Sequence, residues 1–538
     1  MSVDTAGSIN RKEYLKSGKK LENPYALKNM RKALFNLKEK SKSITSREAV
    51  VSLDDFVMDP NYLYVEIAPT TAAQEAEIKQ DSSLIVFDYP LDYEFTDEVL
   101  DARPQLAPNE FPVYYSAIKI DSDMASEAYY QTLEELYIPE EDPYFDDGLT
   151  MLKKVDKKTI EKRQLFLDQL LEEAYRLTGN EYQGKSDNTA TNRLIFGTRW
   201  WPSGTISIFD EVAGRNVPVV GAKILIRQGF TVRQAITDEN GYFKTSSVRG
   251  SARYIIQWER YDYSIRNGSL FQAELRGPMK KDESWNYTIN AGQGDSDDKY
   301  HALIHQAAHD YYYGHRFGLI SPPRNGFLKH QIKIAARESY PWGIPSSYSH
   351  SRADLTFGLA PQIHIKQWGS AADIVYGTTI HELTHAAHSV LDRINYDLLV
   401  KDAFFGDFSA AIRNRNRRLL ETWPTTVEIV MTLDRYKTKF GDTNYFVYKN
   451  TNIVNYQNQT ISSTNHYTSC GYDLIDDFNQ RVYGVDHPND NVKGYIINQL
   501  QNSLIGASSW NEWRDNIKDR YDNPTEFYLN ELFNNWQD

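Results

Sequence analysis

The segment Tyr376–His388 limits most strongly what this chain can fold into. It reads YGTTIHELTHAAH, with no proline and with a single glycine near its start. An uninterrupted segment of this composition predicts a helix. On a helix, His381 and His385 are four residues apart and share one face, so their imidazoles converge on one point. That point is suited to a metal ion.

Glu382 lies beside the two histidines in sequence without joining their face. A carboxylate in this position suits a general base, which takes a proton from a metal-bound water and passes it to a leaving amine. The neighbours Ile380, Leu383 and Ala387 are small or apolar, which predicts a buried helix. The alternative is an ordinary amphipathic helix that carries two surface histidines.

A catalytic zinc ion usually takes three protein ligands, so a third must come from elsewhere. The metzincin extension of the motif does not fit, because His388 and Leu391 stand where that pattern has its glycine and histidine. His388 follows His381 by seven residues and could face the same side. It is therefore a weaker candidate ligand, or a residue that packs beneath the site.

A glutamate on a second helix is the remaining source of the third ligand. Between the motif and Glu512 the chain has only two glutamates, Glu421 and Glu428. They lie seven residues apart in the segment 419–431, which predicts a helix with Pro424 in its first turn. Both glutamates then share a face, and both are candidates.

The His381-Glu-Leu-Thr-His385 helix, followed by Glu421-Thr-Trp423 on a second helix, resembles the gluzincin class of zinc metallopeptidases. The resemblance implies that zinc is the cofactor, that His381, His385 and Glu421 bind it, and that Glu382 activates the water. Glu428 stays open as the alternative ligand.

The gluzincin pattern often has an aspartate four residues after the ligand, as a partner for a zinc-bound histidine. This chain has Thr425 there. A peptidase of this kind also needs a donor for the oxyanion, usually a tyrosine or histidine. Tyr436, His466 and Tyr467 lie suitably downstream, and the sequence does not choose among them.

Composition restricts the class of protein further. The chain has 538 residues, of which 41% are hydrophobic, which is enough for about two to four domains. A net charge of -13 argues against a nucleic-acid partner. No apolar run approaches the roughly 20 residues of a transmembrane helix, and the first residues lack the hydrophobic core of a signal peptide. A single cysteine, Cys470, excludes an internal disulfide framework.

All twelve histidines fall at or after His301, so metal chemistry belongs to the last part of the chain. We expect a zincin-like metallopeptidase domain over 291–538 and an N-terminal α+β accessory region over 1–195. Within the N-terminal region, periodicity predicts helices over 23–40 and 157–178 and strands over 63–68 and 84–88.

Short alternating strands between turn residues predict a β-sandwich within 196–290. The order Gly204-Thr-Ile, Val217–Ile224 and Thr237–Phe243 resembles the carboxypeptidase regulatory-like, transthyretin-like domain. Such modules accompany secreted and surface peptidases, so the resemblance implies an extracellular or cell-surface location, with a cytoplasmic location as the alternative.

Several other patterns have two interpretations. The acidic run Pro139–Gly148, and likewise Asp295, Asp297 and Asp298, could bind calcium, but solvated turns of this composition are commoner. A predicted helix over 299–313 carries a histidine at every fourth residue: His301, His305 and His309. These histidines form either a second metal site or a structural row packed near the motif helix, and we favour the structural interpretation. The segment 362–368 predicts a strand, and the zincin resemblance implies that this strand pairs with an extended peptide substrate through main-chain hydrogen bonds. The segment 472–483 predicts a helix.

These patterns predict a multidomain α+β protein with an N-terminal α+β region, a small β-sandwich and a mainly helical zincin-like metallopeptidase domain. The function that they indicate is zinc-dependent hydrolysis of peptide bonds in a peptide or protein substrate. One alternative is a non-catalytic surface binding or scaffold protein that retains a zinc-bound peptidase fold. Another is a zinc hydrolase of a non-peptide amide or ester. Glu382 favours catalysis, because a structural zinc site has no use for a base.

Overall fold

The structure of this chain is a computed structural model with mixed α+β architecture. It describes residues 17–43, 56–81, 84–101, 103, 111–122, 130–142, 157–180, 199–268, 271–290, 294–326, 331–336, 346–349, 361–404, 409–446, 456–462 and 466–536. Among these residues, no helix is both long and apolar enough to cross a membrane.

The N-terminal part combines helices with two small sheets. Its strands are β1 (Lys19–Lys20), β2 (Tyr62–Ile67), β3 (Tyr93–Glu94), β4 (Tyr114–Lys119) and β5 (Tyr130–Leu136). Its helices are α1 (Leu27–Ser43), α2 (Ala72–Gln80), α3 (Asp97–Asp101) and α4 (Lys157–Leu177). Strand β2 lies between β4 and β5 in an antiparallel sheet, β1 pairs with β3, and α1 packs on α4.

The two long helices expected in this part are confirmed, but the strand expected over 84–88 is wrong. Only Phe87 in this stretch pairs with another strand, through an isolated bridge to Tyr115. Val86 and Phe87 are instead buried in two different hydrophobic clusters. The apolar run therefore reflects packing on both sides of an irregular segment.

Two four-stranded sheets follow and pack face to face. Their strands are β6 (Ser203–Asp210), β7 (Arg215–Pro218), β8 (Lys223–Gln228), β9 (Thr231–Ile236), β10 (Tyr242–Lys244), β11 (Ala252–Gln257), β14 (Glu274–Lys280) and β15 (Trp285–Ile289). One sheet has the order β10-β6-β15 with β7 also paired to β6, and the other has the order β14-β11-β8-β9. Tyr254 joins them, with its ring 5.4 Å from Trp285 and 6.0 Å from Phe243. The alternating strands expected here are confirmed.

A five-stranded sheet connects this region to the part of the chain that carries the motif. It consists of β12 (Tyr263–Asn267), β13 (Phe271–Gln272), β16 (Ile332–Ala336), β17 (Ser347–Tyr348) and β18 (Ile363–Ile365), in the order β13-β12-β16-β18-β17. Strands β12, β16 and β18 are parallel. The sheet thus contains strands from both sides of the boundary expected at residue 290, and one hydrophobic core runs through both parts.

The C-terminal part is mainly helical. Its helices are α5 (Asp297–Tyr313), α6 (Ala372–Leu391), α7 (Arg393–Phe404), α8 (Ala410–Leu433), α9 (Cys470–Asp473), α10 (Ile497–Ser503), α11 (Trp510–Arg520) and α12 (Leu529–Asn535). Helix α6 lies between α5 and α8. The predicted helix over 472–483 is wrong, because α9 ends at Asp473 and only a 3₁₀ turn, Gln480–Tyr483, follows.

Helix α8 is longer than the sequence predicts, and Pro424 lies in its interior instead of its first turn. An interior proline removes one helical hydrogen bond and costs roughly 3 kcal/mol. Burial of both faces of α8 around this position, with Trp423 and Thr425 at most 2% exposed, offsets that cost. The hydroxyl of Thr425 also donates to the carbonyl of Glu421 at 2.8 Å.

Candidate metal centre

Helix α6 carries the motif inside the protein. His381, Glu382 and His385 are 5%, 4% and 8% exposed, because α6 is covered by α5 on one side and by α8 on another. Polar contacts fix it against α5: the Thr384 hydroxyl donates to the Tyr311 hydroxyl at 3.2 Å. The interpretation of the motif as two surface histidines on an amphipathic helix is therefore wrong.

Glu421 on α8 meets both histidines of α6. Its Oε2 lies 3.2 Å from Nε2 of His381 and 3.4 Å from Nε2 of His385. One ligand atom from each of the three residues lies within 4.8 Å of the other two, so His381, His385 and Glu421 form a group that could hold a metal ion. It is the one such histidine, cysteine or carboxylate group found among the described residues.

Glu428, the alternative ligand, occupies a different position. Its Oε2 lies 3.1 Å from Nδ1 of His381, on the far side of the imidazole from Glu421. It therefore bonds to the nitrogen that does not face the group. The gluzincin pattern often has an aspartate partner for a histidine four residues after the ligand, where this chain has Thr425. The carboxylate that contacts Nδ1 of His381 in this structure is that of Glu428, seven residues after Glu421 on α8.

The two glutamates favour positive charge at the centre of the group. Burial lowers the pKa of His381, but hydrogen bonds to Glu421 and Glu428 outweigh it and raise that pKa to about 10. Burial alone would raise the pKa of Glu421, yet the two histidines hold it well below its usual value. An ionised carboxylate and two ring nitrogens pointing at one place form the donor set of a cation site.

An open cleft of about 470 Å³ leads to the group. Glu382, His385 and Glu421 line its floor, so both the candidate base and two candidate ligands face the same space. Val400 and Phe404 of α7 form an apolar part of its wall. The arrangement leaves room for a substrate next to the histidines.

The three candidate oxyanion donors separate clearly. Tyr436 is fully buried elsewhere, where its hydroxyl donates to Asp210 at 2.9 Å and its ring stacks on Tyr445. His466 and Tyr467 both line the cleft, and the Tyr467 ring lies 5.7 Å from the His381 ring. Partial burial, followed by the nearby carboxylates, raises the Tyr467 pKa above its usual value, so the hydroxyl remains a donor.

His388, the weaker candidate ligand, is not part of the group. It is 1% exposed and packs edge-on against Tyr396, with their ring centres 5.0 Å apart. Burial lowers its pKa to about 3, so it stays neutral. It packs beneath the site.

The histidine row on α5 is structural. Burial lowers the pKa of His301 to about 4 and that of His305 to about 3. A ring nitrogen of His305 lies 3.0 Å from the carbonyl oxygen of Val220, and its other nitrogen lies 3.0 Å from the Tyr263 hydroxyl. These contacts use both ring nitrogens of His305, and the row does not form a metal-ligand group among the described residues.

The candidate calcium ligands have other roles where they are described. Asp295 forms an ion pair with Lys299 at 3.3 Å, and Asp297 and Asp298 lie in the first turn of α5, where acidic side chains stabilise a helix. Of the acidic run Pro139–Gly148, residues 143–148 lie outside the described residues.

The strand expected over 362–368 forms as β18, but neighbours occupy both of its sides. Strand β16 pairs with one side and β17 with the other. Among the described strands of this sheet, β17 follows β18 at one end of the order, and both of its residues, Ser347 and Tyr348, line the cleft. The described strand of this sheet that borders the cleft is therefore β17 and not β18.

Tyr396 and Arg417 are among the cleft side chains that sequence reasoning missed. Tyr396 lies on α7, the helix that follows the motif. Arg417 precedes Glu421 by one helical turn, and this spacing was the signal in the sequence that could have placed Arg417 near the site. Comparison of the chain with models of protein families, with curated proteins and with solved structures found no match. The functional argument therefore rests on the geometry of the site.

Proposed function

We propose that this protein is a zinc-dependent metallopeptidase that hydrolyses peptide bonds in peptide or protein substrates. The observation that carries the proposal is the convergence of His381, His385 and Glu421, together with the position of Glu382 on the floor of the same cleft. A site that only stabilised the fold would need neither an open cleft nor a carboxylate beside the ligands.

The donor set fits zinc. Two imidazole nitrogens and one carboxylate oxygen are a ligand set of catalytic zinc sites, which keep a fourth position open. Glu428 supports this assignment, since its contact with Nδ1 of His381 directs Nε2 towards the group. Zinc, when bound, supplies a Lewis acid that polarises a carbonyl group and makes a water molecule more acidic.

The side chains of the cleft then have distinct roles. Glu382 removes a proton from the attacking water and delivers it to the nitrogen of the leaving amine. The Tyr467 hydroxyl or the His466 imidazole donates a hydrogen bond to the oxygen that becomes negatively charged.

The test is proteolysis of a mixed peptide library by the zinc-loaded parent and by Glu382→Gln, with zinc content measured for both. The amide keeps the size of the side chain but removes its basicity, so we expect equal zinc content and a rate lower by at least about 100-fold. Glu239→Gln, which removes one negative charge from an exposed turn, is the matched control.

Each outcome decides between the proposal and its rivals. Cleavage by the parent and the control, but not by Glu382→Gln, supports the peptidase and its base. Zinc binding without cleavage by any variant contradicts the peptidase and favours either a binding protein or a hydrolase of non-peptide amides or esters. Cleavage that survives in Glu382→Gln contradicts the role of Glu382.

A further inference from the structure

Arg417 lines the cleft, and it has no acidic partner among the residues that the structure describes. Its Nε is buried and has no hydrogen-bond partner among the described residues. Among these described residues, no carboxylate forms an ion pair with the Arg417 guanidinium. Two buried arginines elsewhere do have carboxylate partners: Arg103 pairs with Asp88 at 2.8 Å and Arg435 with Asp310 at 3.5 Å. The charge of Arg417 thus has no carboxylate counterpart within the described fold.

The surroundings of Arg417 hold it in place without neutralising it. Its guanidinium carbon lies 4.5 Å from the centre of the Phe404 ring, which is a cation–π contact. Glu421, one turn further along α8, is the nearest acidic side chain on the same helix face, but its Oε2 contacts His381 and His385 instead. The guanidinium is therefore positioned and left available.

The buried Nε of Arg417 is costly, because this donor has lost water without gaining an acceptor among the described residues. A carboxylate from a bound molecule removes this cost, since the planar guanidinium matches a carboxylate in a two-bond arrangement. Of the cleft residues, Arg417 is the one that can recognise negative charge in this way. The apolar side chains Val400 and Leu420 line the same cleft and suit the uncharged part of such a molecule.

We propose that Arg417 selects substrates that carry a carboxylate close to the bond that is cut. This inference rests on the proposed peptidase function and names its substrate class as peptides with a carboxylate near the bond that is cut. The carboxylate comes either from the C-terminus of a peptide or from an aspartate or glutamate side chain, which share the same chemistry.

The spacing on α8 limits where that carboxylate lies. Arg417 and Glu421 are four residues apart, which is about 6 Å along the helix axis. An extended peptide advances about 3.3–3.6 Å per residue. The recognised carboxylate therefore lies within about two residues of the scissile bond.

The experiment compares four peptides that differ only in charge. They carry a free C-terminus or a C-terminal amide, and a glutamate or a glutamine within two residues of the cut. We measure kcat/KM for the parent and for Arg417→Gln, and we measure binding of the same peptides by calorimetry in a Glu382→Gln background. Arg415→Gln is the matched control: it removes the same charge from the same helix, and Arg415 does not line the cleft.

We expect the parent to prefer one charged form by roughly 10- to 100-fold, the range for a hydrogen-bonded charge pair. Arg417→Gln loses this preference in both assays, and Arg415→Gln keeps it. A preference for the free C-terminus identifies a carboxypeptidase-like mode, and a preference for glutamate identifies an acidic side-chain subsite.

Equal kcat/KM and equal binding of the charged and neutral peptides by the parent would overturn the inference. A preference for the charged form that survives in Arg417→Gln would overturn it as well. If the parent cleaves none of the four peptides nor the mixed library, the proposed function fails on its own. The binding assay then still decides whether Arg417 recognises carboxylates.

Discussion

Replacement of Glu428 tests how the centre is built. Glu428 is 2% exposed, and its carboxylate lies 3.1 Å from Nδ1 of His381. Loss of such a partner usually reduces metal affinity by about 10- to 100-fold, or by about 1.4 to 2.7 kcal/mol. For Glu428→Ala we expect a loss of zinc affinity near the upper limit of this range, because the buried imidazole of His381 loses both its charge partner and its orientation. Glu428→Gln keeps an acceptor and should lie near the lower limit.

The assay is zinc competition against a fluorescent chelator, with Glu239→Gln as the control for the loss of one charge. Circular dichroism of each metal-free variant establishes that the fold is intact. Glu421→Gln should weaken zinc binding more than either Glu428 variant, since it removes a ligand and not the partner of one. A zinc affinity of Glu428→Ala within about twofold of the parent refutes the supporting role of Glu428, and a loss larger than that of Glu421→Gln makes Glu428 the ligand.

Three further predictions concern stability. A chelator should lower the unfolding free energy of the zinc-loaded parent by roughly 4 kcal/mol if free zinc had been a thousandfold above Kd, and it should leave His385→Ala unchanged in thermal denaturation. Burial raises the pKa of Glu274 from 4.5 to about 7. The folded chain therefore binds the carboxyl proton of Glu274 more tightly than the unfolded chain does. The resulting contribution to the unfolding free energy is full below pH 4.5 and is lost as the pH rises through 7. Urea unfolding should show up to about 3 kcal/mol of this loss, and Glu274→Gln should abolish it. The side chains of the buried Lys333–Glu75 pair are 6% and 4% exposed. Lys333→Met should lower the unfolding free energy by about 3 kcal/mol, because it leaves a buried carboxylate without its partner, and adding Glu75→Gln should restore part of this stability. An unchanged unfolding free energy in Lys333→Met contradicts this account.

The parts of the fold with strong local periodicity were predictable. The helix that carries His381 and His385 was expected from an unbroken segment with buried neighbours, and the short strands between 203 and 257 from alternation between turns. These signals are local, so tertiary packing adds to them without changing them.

The failures arise where tertiary contacts decide. Pro424 suggested a helix start, but α8 begins at Ala410, where the Ser409 side chain caps it, and it packs on both α6 and α7. The apolar stretch around Phe87 serves two cores without forming a strand. The position of β18 between two other strands depends on β17, which lies apart from it in sequence.

The candidate site was predictable in its residue types but not in its geometry. The sequence left Glu421 and Glu428 as alternatives, since both lie on one helix face. Only the packing of α8 against α6 distinguishes the nitrogen of His381 that each one contacts. The unpaired charge of Arg417 has no sequence signature, because the absence of a partner is a property of the fold.

Zinc K-edge X-ray absorption of the metal-loaded protein tests the central claim most directly. The account predicts one zinc per chain with nitrogen and oxygen neighbours only, two of them imidazoles, at about 2.0–2.1 Å. The sole cysteine, Cys470, is fully buried and outside the group, so no sulfur neighbour should occur. Loss of the two-imidazole signal in His381→Ala and in His385→Ala would support the assignment. A spectrum with no imidazole contribution, or one that is unchanged in both variants, would contradict it.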